Sequence, residues 1–179
     1  MSEIIVRPAV SPDFSVLSKF EHTVDTDKVW QMAHIFEEGH ISVNFREVRL
    51  PRSIRLAYTR SPENLMKRWK KLLVVLVACI DGVPIGYVGI SSFQASSNVW
   101  IKDLVVHERW RRRGIATSLI KAVFDWGIER GIKRITIEIS SKNYPAIRLV
   151  HKSGFEFCGY NDYYYENNDV ALFFARNIH

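Results

Sequence analysis

Apolar and polar positions along this chain follow two periods, and the switches between them mark its elements. Ile4-Ile5-Val6 is a short apolar run stopped at Pro8, which predicts a first strand. Ser11-Pro12-Asp13 reads as a helix start, with a serine cap, proline in the first helical position and an acid in the first turn. Phe14, Leu17 and Phe20 give that helix its apolar stripe. Val29 to Phe36 predicts a second helix ending near Gly39. Ile41 to Leu50 and Ser53 to Tyr58 alternate apolar with polar residues, which predicts two strands joined tightly at Pro51-Arg52. Ser61-Pro62-Glu63 repeats the helix-start grammar and opens a short helix through Trp69.

The second half is patterned more strongly. Leu72 to Ile80 is rich in β-branched residues and runs into Asp81-Gly82, a strong hairpin signal, with Ile85 to Phe93 as the returning strand. Val99 to Val106 is the next strand. From Ile115 to Arg130, the apolar residues Leu119, Ile120, Val123, Phe124 and Ile128 recur at helical spacing, with Gly131 as the stop. Arg134 to Ile139 is a strand, Pro145 to Lys152 a helix closed by Gly154, and Phe155 to Cys158 and Val170 to Ala175 are the last strands. Strand, helix and strand between Val99 and Ile139 form a βαβ unit, so those two strands should be parallel with a right-handed crossover. The strands before them should be antiparallel. The expected architecture is α/β (α+β): one domain over residues 3–179, with a mixed sheet and helices on its faces.

Composition narrows the function classes. An apolar fraction of 47% with 25% charged residues is ordinary for a globular chain and argues against disorder. The excess of 25 Lys+Arg over 19 Asp+Glu suits a polyanionic partner, which could be nucleic acid, an anionic membrane or a phosphorylated cofactor. Cys79 and Cys158 are expected as buried free thiols, because a disulfide framework or a zinc site needs more ligands at closer spacing. No metal is expected. The first residues lack the basic-then-apolar pattern of a signal peptide. The longest apolar run, Leu72 to Ile80, falls far short of the ~20 residues of a membrane helix, so a cytoplasmic protein is expected.

The charge is concentrated. Arg109, Arg111, Arg112 and Arg113 crowd the passage from the Val106 strand into Gly114-Ile115-Ala116-Thr117, where a helix begins. A helix's first turn presents unpaired N–H groups and the positive end of its dipole, which together favour a phosphate. Gly114 and Ala116 leave room for close approach. The segment is neither a Walker loop nor a dinucleotide fingerprint, since the glycine spacings of both are missing. A solvated basic turn is the competing reading.

These residues resemble the GNAT superfamily of N-acetyltransferases, whose hallmark Arg/Gln-x-x-Gly-x-Gly/Ala is matched by Arg111, Gly114 and Ala116. A second pattern of that family, a strand followed by Asn-x-x-Ala and then Gly-Phe, is matched by Ile135–Ile139, Asn143 to Ala146, and Gly154-Phe155. The resemblance is specific from about Leu72 to Phe174. It implies the GNAT fold, with the family's fourth and fifth strands (here Val99 to Val106 and Arg134 to Ile139) parallel and splayed around acetyl-CoA. It implies that backbone N–H groups of Arg112, Arg113, Gly114, Ile115, Ala116 and Thr117 hold the pyrophosphate. Backbone groups of Leu104, Val105 and Val106 would pair with the pantetheine arm. Asn143 would touch the cofactor from the following helix, although the same position suits a helix cap.

Acetyl transfer needs an amine that has lost its proton, a polarised carbonyl and a proton for the leaving thiolate. A lysine-like amine, with a pKa of about 10.4, is almost wholly protonated at neutral pH. Glu138 is the leading base candidate: it lies five residues before Asn143, where ribosomal-protein alanine acetyltransferases of this superfamily carry a catalytic glutamate. Asp103 is the second. Either could instead be a simple strand acid. Many relatives carry a tyrosine seven residues after the asparagine as general acid; this chain has Val150 there. The adjacent His151 is rotated by roughly 100° and reads as a surface residue. The cluster Tyr160, Tyr163, Tyr164 and Tyr165 offers phenols instead.

The tail from Asp162 to Phe174 resembles streptothricin acetyltransferase-like members, and Asn44 to Tyr58 does so faintly. Its acidic, aromatic character suits an ammonium, so a small cationic amine is favoured over a protein N-terminus or lysine side chain. Partners then reduce to a small-molecule or peptide amine, with no nucleic acid and no membrane; a homodimer is the one self-association the reading admits. The rivals are a nucleic-acid-binding domain, motivated by the arginines, and a silent acyl-CoA-binding module, motivated by Val150.

Overall fold

The computed structural model describes residues 3–60, 64–92 and 97–179. Its main sheet has seven strands in the order β1-β4-β5-β6-β7-β9-β8, formed by β1 (Ile4–Pro8), β4 (Val74–Ile80), β5 (Val83–Ser92), β6 (Asn98–Val106), β7 (Arg134–Ser140), β8 (Glu156–Asn161) and β9 (Ala171–Asn177). Only β6 and β7 run parallel; the other neighbours are antiparallel. The mixed sheet and the βαβ crossover are therefore as expected. So is the β4–β5 hairpin, whose turn residues Asp81 and Gly82 both take the positive φ of a two-residue twisted turn.

Alternation along the central strands feeds two cores. Leu76, Ala78, Val88 and Ile90 face α3 (Ile115–Glu129) and α4 (Tyr144–Lys152), where Ile115, Leu119, Val123, Ile147 and Val150 are buried against them. Val75, Val77, Cys79 and Tyr87 face the other way and pack on α1 (Ser11–Leu17) and α2 (Leu65–Trp69) through Leu17, Leu65 and Trp69. Each fully buried leucine or isoleucine contributes roughly 1.5–3 kcal/mol. Gly86 lets α3 approach closely, since a Cβ there would lie 3.1 Å from the Val105 carbonyl oxygen and 3.2 Å from Ile115. Among the described residues no helix is long and apolar enough to cross a membrane.

Three expectations are corrected. The helix expected at Val29 to Phe36 is the middle of strand β2 (Val24–Glu37), which pairs with β3 (His40–Leu56) in a separate two-stranded arm. Eight residues fit both periods, and pairing along β3, together with Trp30 and Phe45 packed on the core, decides for strand. The two strands expected either side of Pro51 are one strand. Pro51 lies where the register jumps between Thr26–Ile54 and Lys28–Arg49, so its missing N–H costs no ladder bond. The cap of α1 is not Ser11, which is helical: the Asp13 carboxylate accepts from the Val10 N–H at 2.8 Å and from Arg7 at 2.6 Å.

Cys79 and Cys158 are both free, but only Cys79 is buried, because β8 is an edge strand. The Ser61-Pro62-Glu63 helix start and the strand end at Phe93 lie outside the described residues.

Candidate active site

The parallel pairing of β6 with β7 covers only Asn98–Ile101 against Arg134–Ile137. Beyond that point each strand is held from its outer side. β6 stays on β5 as far as Val106, and β7 stays on β9 as far as Ser140. The register of β6 on β5 skips Lys102, which bulges between Ile101 and Asp103 and turns the strand away from its parallel neighbour. The result is a V-shaped cleft of about 1180 Å³. Leu104, Val105 and Val106 line one wall, and Glu138, Asn143 and Ala146 line the other.

The N-terminus of α3 stands at the mouth. Gly114 caps it with φ +83°, and the first rung of the helix is Ser118 N–H to Gly114 C=O at 3.0 Å. The N–H groups of Ile115, Ala116 and Thr117 precede that ladder and have no partner within the helix. Arg112, with φ +64°, also lines the cleft. Arg111 does something else with its side chain: the guanidinium donates to the Val106, Thr23 and Glu21 carbonyls at 3.1, 2.9 and 2.5 Å. It ties the strand end to the start of the arm. Arg113 lies over the Trp110 ring at 5.1 Å, outside the cleft lining. Asn143 lines the cleft and also caps α4, its Oδ1 accepting from the Ala146 N–H at 3.2 Å.

The vertex of the V holds a buried ion network. Glu138 accepts from Arg60, from Lys102 Nζ at 2.6 Å and from the Tyr164 hydroxyl at 2.9 Å. Asp103 accepts from Tyr58 and from Arg68 at 2.8 Å, with Arg60 3.8 Å away; its Oδ2 is buried with no hydrogen-bond partner among the described residues. Arg60 also donates to the Lys102 carbonyl, so one side chain bridges both diverging strands. The two base candidates thus meet through Arg60, and only Glu138 lines the cleft.

The phenols here are poor acids. Burial, then the Asp103 charge, pushes Tyr58 well above the usual range, and burial followed by Glu138 pushes Tyr164 up to about 12. Burial likewise raises Tyr165, which lines the cleft. All three keep their protons at neutral pH. Tyr160 stacks on Phe45 instead, and Tyr163 is exposed. Val150 is wholly buried in the core, while His151 is exposed against Phe174; neither lines the cleft.

The acidic wall expected from the tail is absent as free charge. Asp162 and Glu166 lie outside the cleft lining, and Asp169 is tied to Lys142 at 2.5 Å. Sequence reasoning also missed Arg60, Lys102, Tyr58 and Arg68. Only Lys102 left a signal: Lys102-Asp103 is a doubled charge inside an apolar strand, which breaks the two-residue period where the bulge falls.

The family model for the acetyltransferase (GNAT) family matches residues 36–155. Streptothricin acetyltransferase of Streptomyces lavendulae is 30% identical over 86 residues, 48% of this chain and 46% of that protein. The L-amino acid N-acetyltransferase AaaT of Escherichia coli (strain K12) is 33% identical over 90 residues, 47% of this chain and 54% of that one. The chain thus spans about half the length of these curated relatives. A crystal structure of nourseothricin acetyltransferase superposes with a TM-score of 0.83 at 20% identity, covering 98% of this chain and 99% of that one. A GNAT family acetyltransferase from Elizabethkingia anophelis with acetyl-CoA bound gives a TM-score of 0.60 at 16% identity, over 64% of this chain and 82% of that one.

Proposed function

The chain belongs to the acetyltransferase (GNAT) family, and on that premise we propose that it moves an acetyl group from acetyl-CoA to the primary amine of a small molecule. The observation that carries the reading is the parting of β6 from β7 beside the open N-terminus of α3. The residues present fit the cofactor. Around Gly114 the space is open, since a Cβ there would meet nothing within 4 Å, and the amides of the first helical turn that lack a partner within the helix belong to residues lining the cleft. At about 1180 Å³ the cleft exceeds the 300–1,000 Å³ typical of one small ligand, which suits a long cofactor arm together with an acceptor.

Backbone N–H groups from Arg112 to Thr117 would hold the pyrophosphate, the Leu104–Val106 edge would pair with the pantetheine arm, and Asn143 would brace it from α4. When bound, acetyl-CoA supplies an activated acetyl thioester, whose acyl carbon bonds to the amine nitrogen as the carbon–sulfur bond breaks. Glu138, the candidate base that lines the cleft, takes the ammonium proton. Asp103 acts at one remove, holding Arg60 and Tyr58 in place. With Val150 in the core and the neighbouring phenols held as poor acids by burial, the thiolate is protonated by water.

Calorimetric titration with CoA, followed by thiol release from acetyl-CoA across polyamines, aminoglycosides, streptothricin, amino acids and peptides, tests this. Saturable CoA binding with thiol release to at least one amine is expected. Binding without release to any of them would leave only a silent acyl-CoA module, the reading that the buried Val150 favours.

A further inference from the structure

We infer that Arg60 and Lys102 form a carboxylate-recognition subsite at the vertex, so that the acceptor is an amine bearing a carboxylate near its nitrogen, an amino acid, rather than a polycation. This rests on the acetyl-transfer reading for the identity of the cleft and names the acceptor within it.

Charge and access point the same way. Three cations, Arg60, Arg68 and Lys102, surround two carboxylates, Asp103 and Glu138, which leaves one positive charge in excess. The carboxylates are the inner members, with side chains 0% and 2% exposed; the Arg60 and Lys102 side chains are 16% and 27% exposed and line the cleft. A guest therefore meets the cations first. The other lining acids already have partners: Asp25 with Arg55 at 3.0 Å, Asp169 with Lys142 at 2.5 Å, and Asp27 with Arg49 at 4.0 Å. Among the described residues no unpaired carboxylate lines the cleft to receive an ammonium, and a polycation would face like charge.

Lys102 has capacity to spare. The bulge lifts it out of the β5–β6 ladder, its ammonium lies 4.7 Å from the Trp100 ring centroid, and Glu138 uses one of its three donors. Arg60 already donates from one terminal nitrogen to the Lys102 carbonyl and from the other to Glu138, and brings its remaining N–H groups to the same point. A carboxylate held there keeps an adjacent amine one or two bonds from the place where the strands part. Two consequences help the chemistry. Nearby positive charge lowers the pKa of the amine and so raises its nucleophilic fraction. By competing for Lys102, the guest carboxylate also opens one acceptor position on Glu138 Oε2, which keeps the Tyr164 hydroxyl on its other side, and that position can take the amine's proton.

The test pairs ligands that differ only in that carboxylate. Calorimetry on CoA-saturated protein compares N-acetyl-L-amino acids with their α-amides, and thiol release compares free L-amino acids, their amides, streptothricin and an aminoglycoside. The acids should bind about ten-fold more tightly and show a kcat/KM at least about ten-fold higher. Lys102→Met should bring both ratios close to one while CoA affinity holds; its melting temperature should fall, because Glu138 loses one of its two cations, so the ratios are read below that temperature, where the variant is folded. Arg60 is mostly buried and its loss could unfold the chain, which makes Lys102→Met the deciding variant. Amides or polycations bound and acetylated as well as the acids would overturn the subsite and leave the acetyl-transfer reading standing. Tight, carboxylate-dependent binding with no thiol release would do the reverse.

Discussion

At the mouth of the cleft the working groups are main-chain amides from the first turn of α3; at the vertex they are side chains drawn from five separated stretches of chain. The mouth needs only Gly114 in a left-handed conformation and small residues after it, all within six positions. The vertex needs Tyr58 and Arg60 from the end of the arm, Arg68 from α2, Lys102 and Asp103 from a bulge in β6, Glu138 from β7 and Tyr164 from the β8–β9 connection. A backbone amide is the same whatever residue carries it, so a cofactor shared by many proteins can be held by such a device. A side-chain network can be rewired one residue at a time, which is what a variable acceptor requires. The cleft therefore joins an end built from main-chain amides to one built from side chains.

The sharpest way to break that division is at Gly114. Gly114→Glu places a carboxylate at the positive end of the helix and forces a side chain into φ +83°. CoA affinity should weaken by about a thousand-fold, ~4 kcal/mol, in calorimetry. Gly114→Asn is the control. Asparagine tolerates the left-handed region and adds no charge, and a Cβ meets nothing within 4 Å, so binding should stay within about five-fold. If both variants bind CoA like the parent, the mouth is not the phosphate site.

The vertex should respond in rate instead. Glu138→Gln keeps the shape but removes the charge that Arg60, Lys102 and Tyr164 converge on. Turnover should fall by about a hundred-fold, within the range for losing a general base, while CoA affinity changes by less than about two-fold. Stability should drop by about 3 kcal/mol in denaturant melts, because two half-buried cations lose the buried carboxylate they share. Unchanged turnover would leave Glu138 a purely structural anchor.

The same division explains what could be read from sequence. The β4–β5 hairpin, the βαβ unit and the α3 mouth are each specified within a few residues, by Asp81-Gly82, by helical spacing after Ile115 and by Arg111 to Ala116. The arm was harder. Val29 to Phe36 satisfies helix and strand periods alike, and Pro51 looks like a break until the register jump that accommodates it is known. The vertex could not be assembled at all. Arg60 is 78 residues from Glu138, and Tyr58 is 45 from Asp103, so no local pattern joins them. Glu138 and Asp103 were identifiable as acids in the right strands, but not as partners of one arginine. The arginine run at the mouth was the opposite case. The helix N-terminus behind it was legible, yet the Arg111 side chain is a strut.

A smaller effect sharpens the comparison through pH. The mouth is made of amides that do not titrate, whereas the vertex continues into a buried histidine. His22 Nδ1–H donates to the Phe20 carbonyl at 2.7 Å, and its Nε2 lies 2.9 Å from the Tyr87 hydroxyl, which can donate to it when the ring is neutral. Burial is the main influence holding its pKa below the usual value. Arg111 adds to that, while the Phe20 hydrogen bond and the charges of Asp103 and Glu21 oppose it. Because the folded value is depressed, the unfolded chain binds the proton more readily. The stabilisation is therefore complete above the unfolded histidine's value of about 6.5 and is lost as pH falls through the folded one, with a slope approaching ~1.4 kcal/mol per pH unit. Urea melts of the parent at pH 7.5, 6.5 and 5.5 should show this decline. His22→Gln, which cannot titrate, should be less stable at pH 7.5 but should fall less steeply. Parallel declines in the two proteins would mean that His22 does not carry the dependence and that the vertex network ends before reaching it.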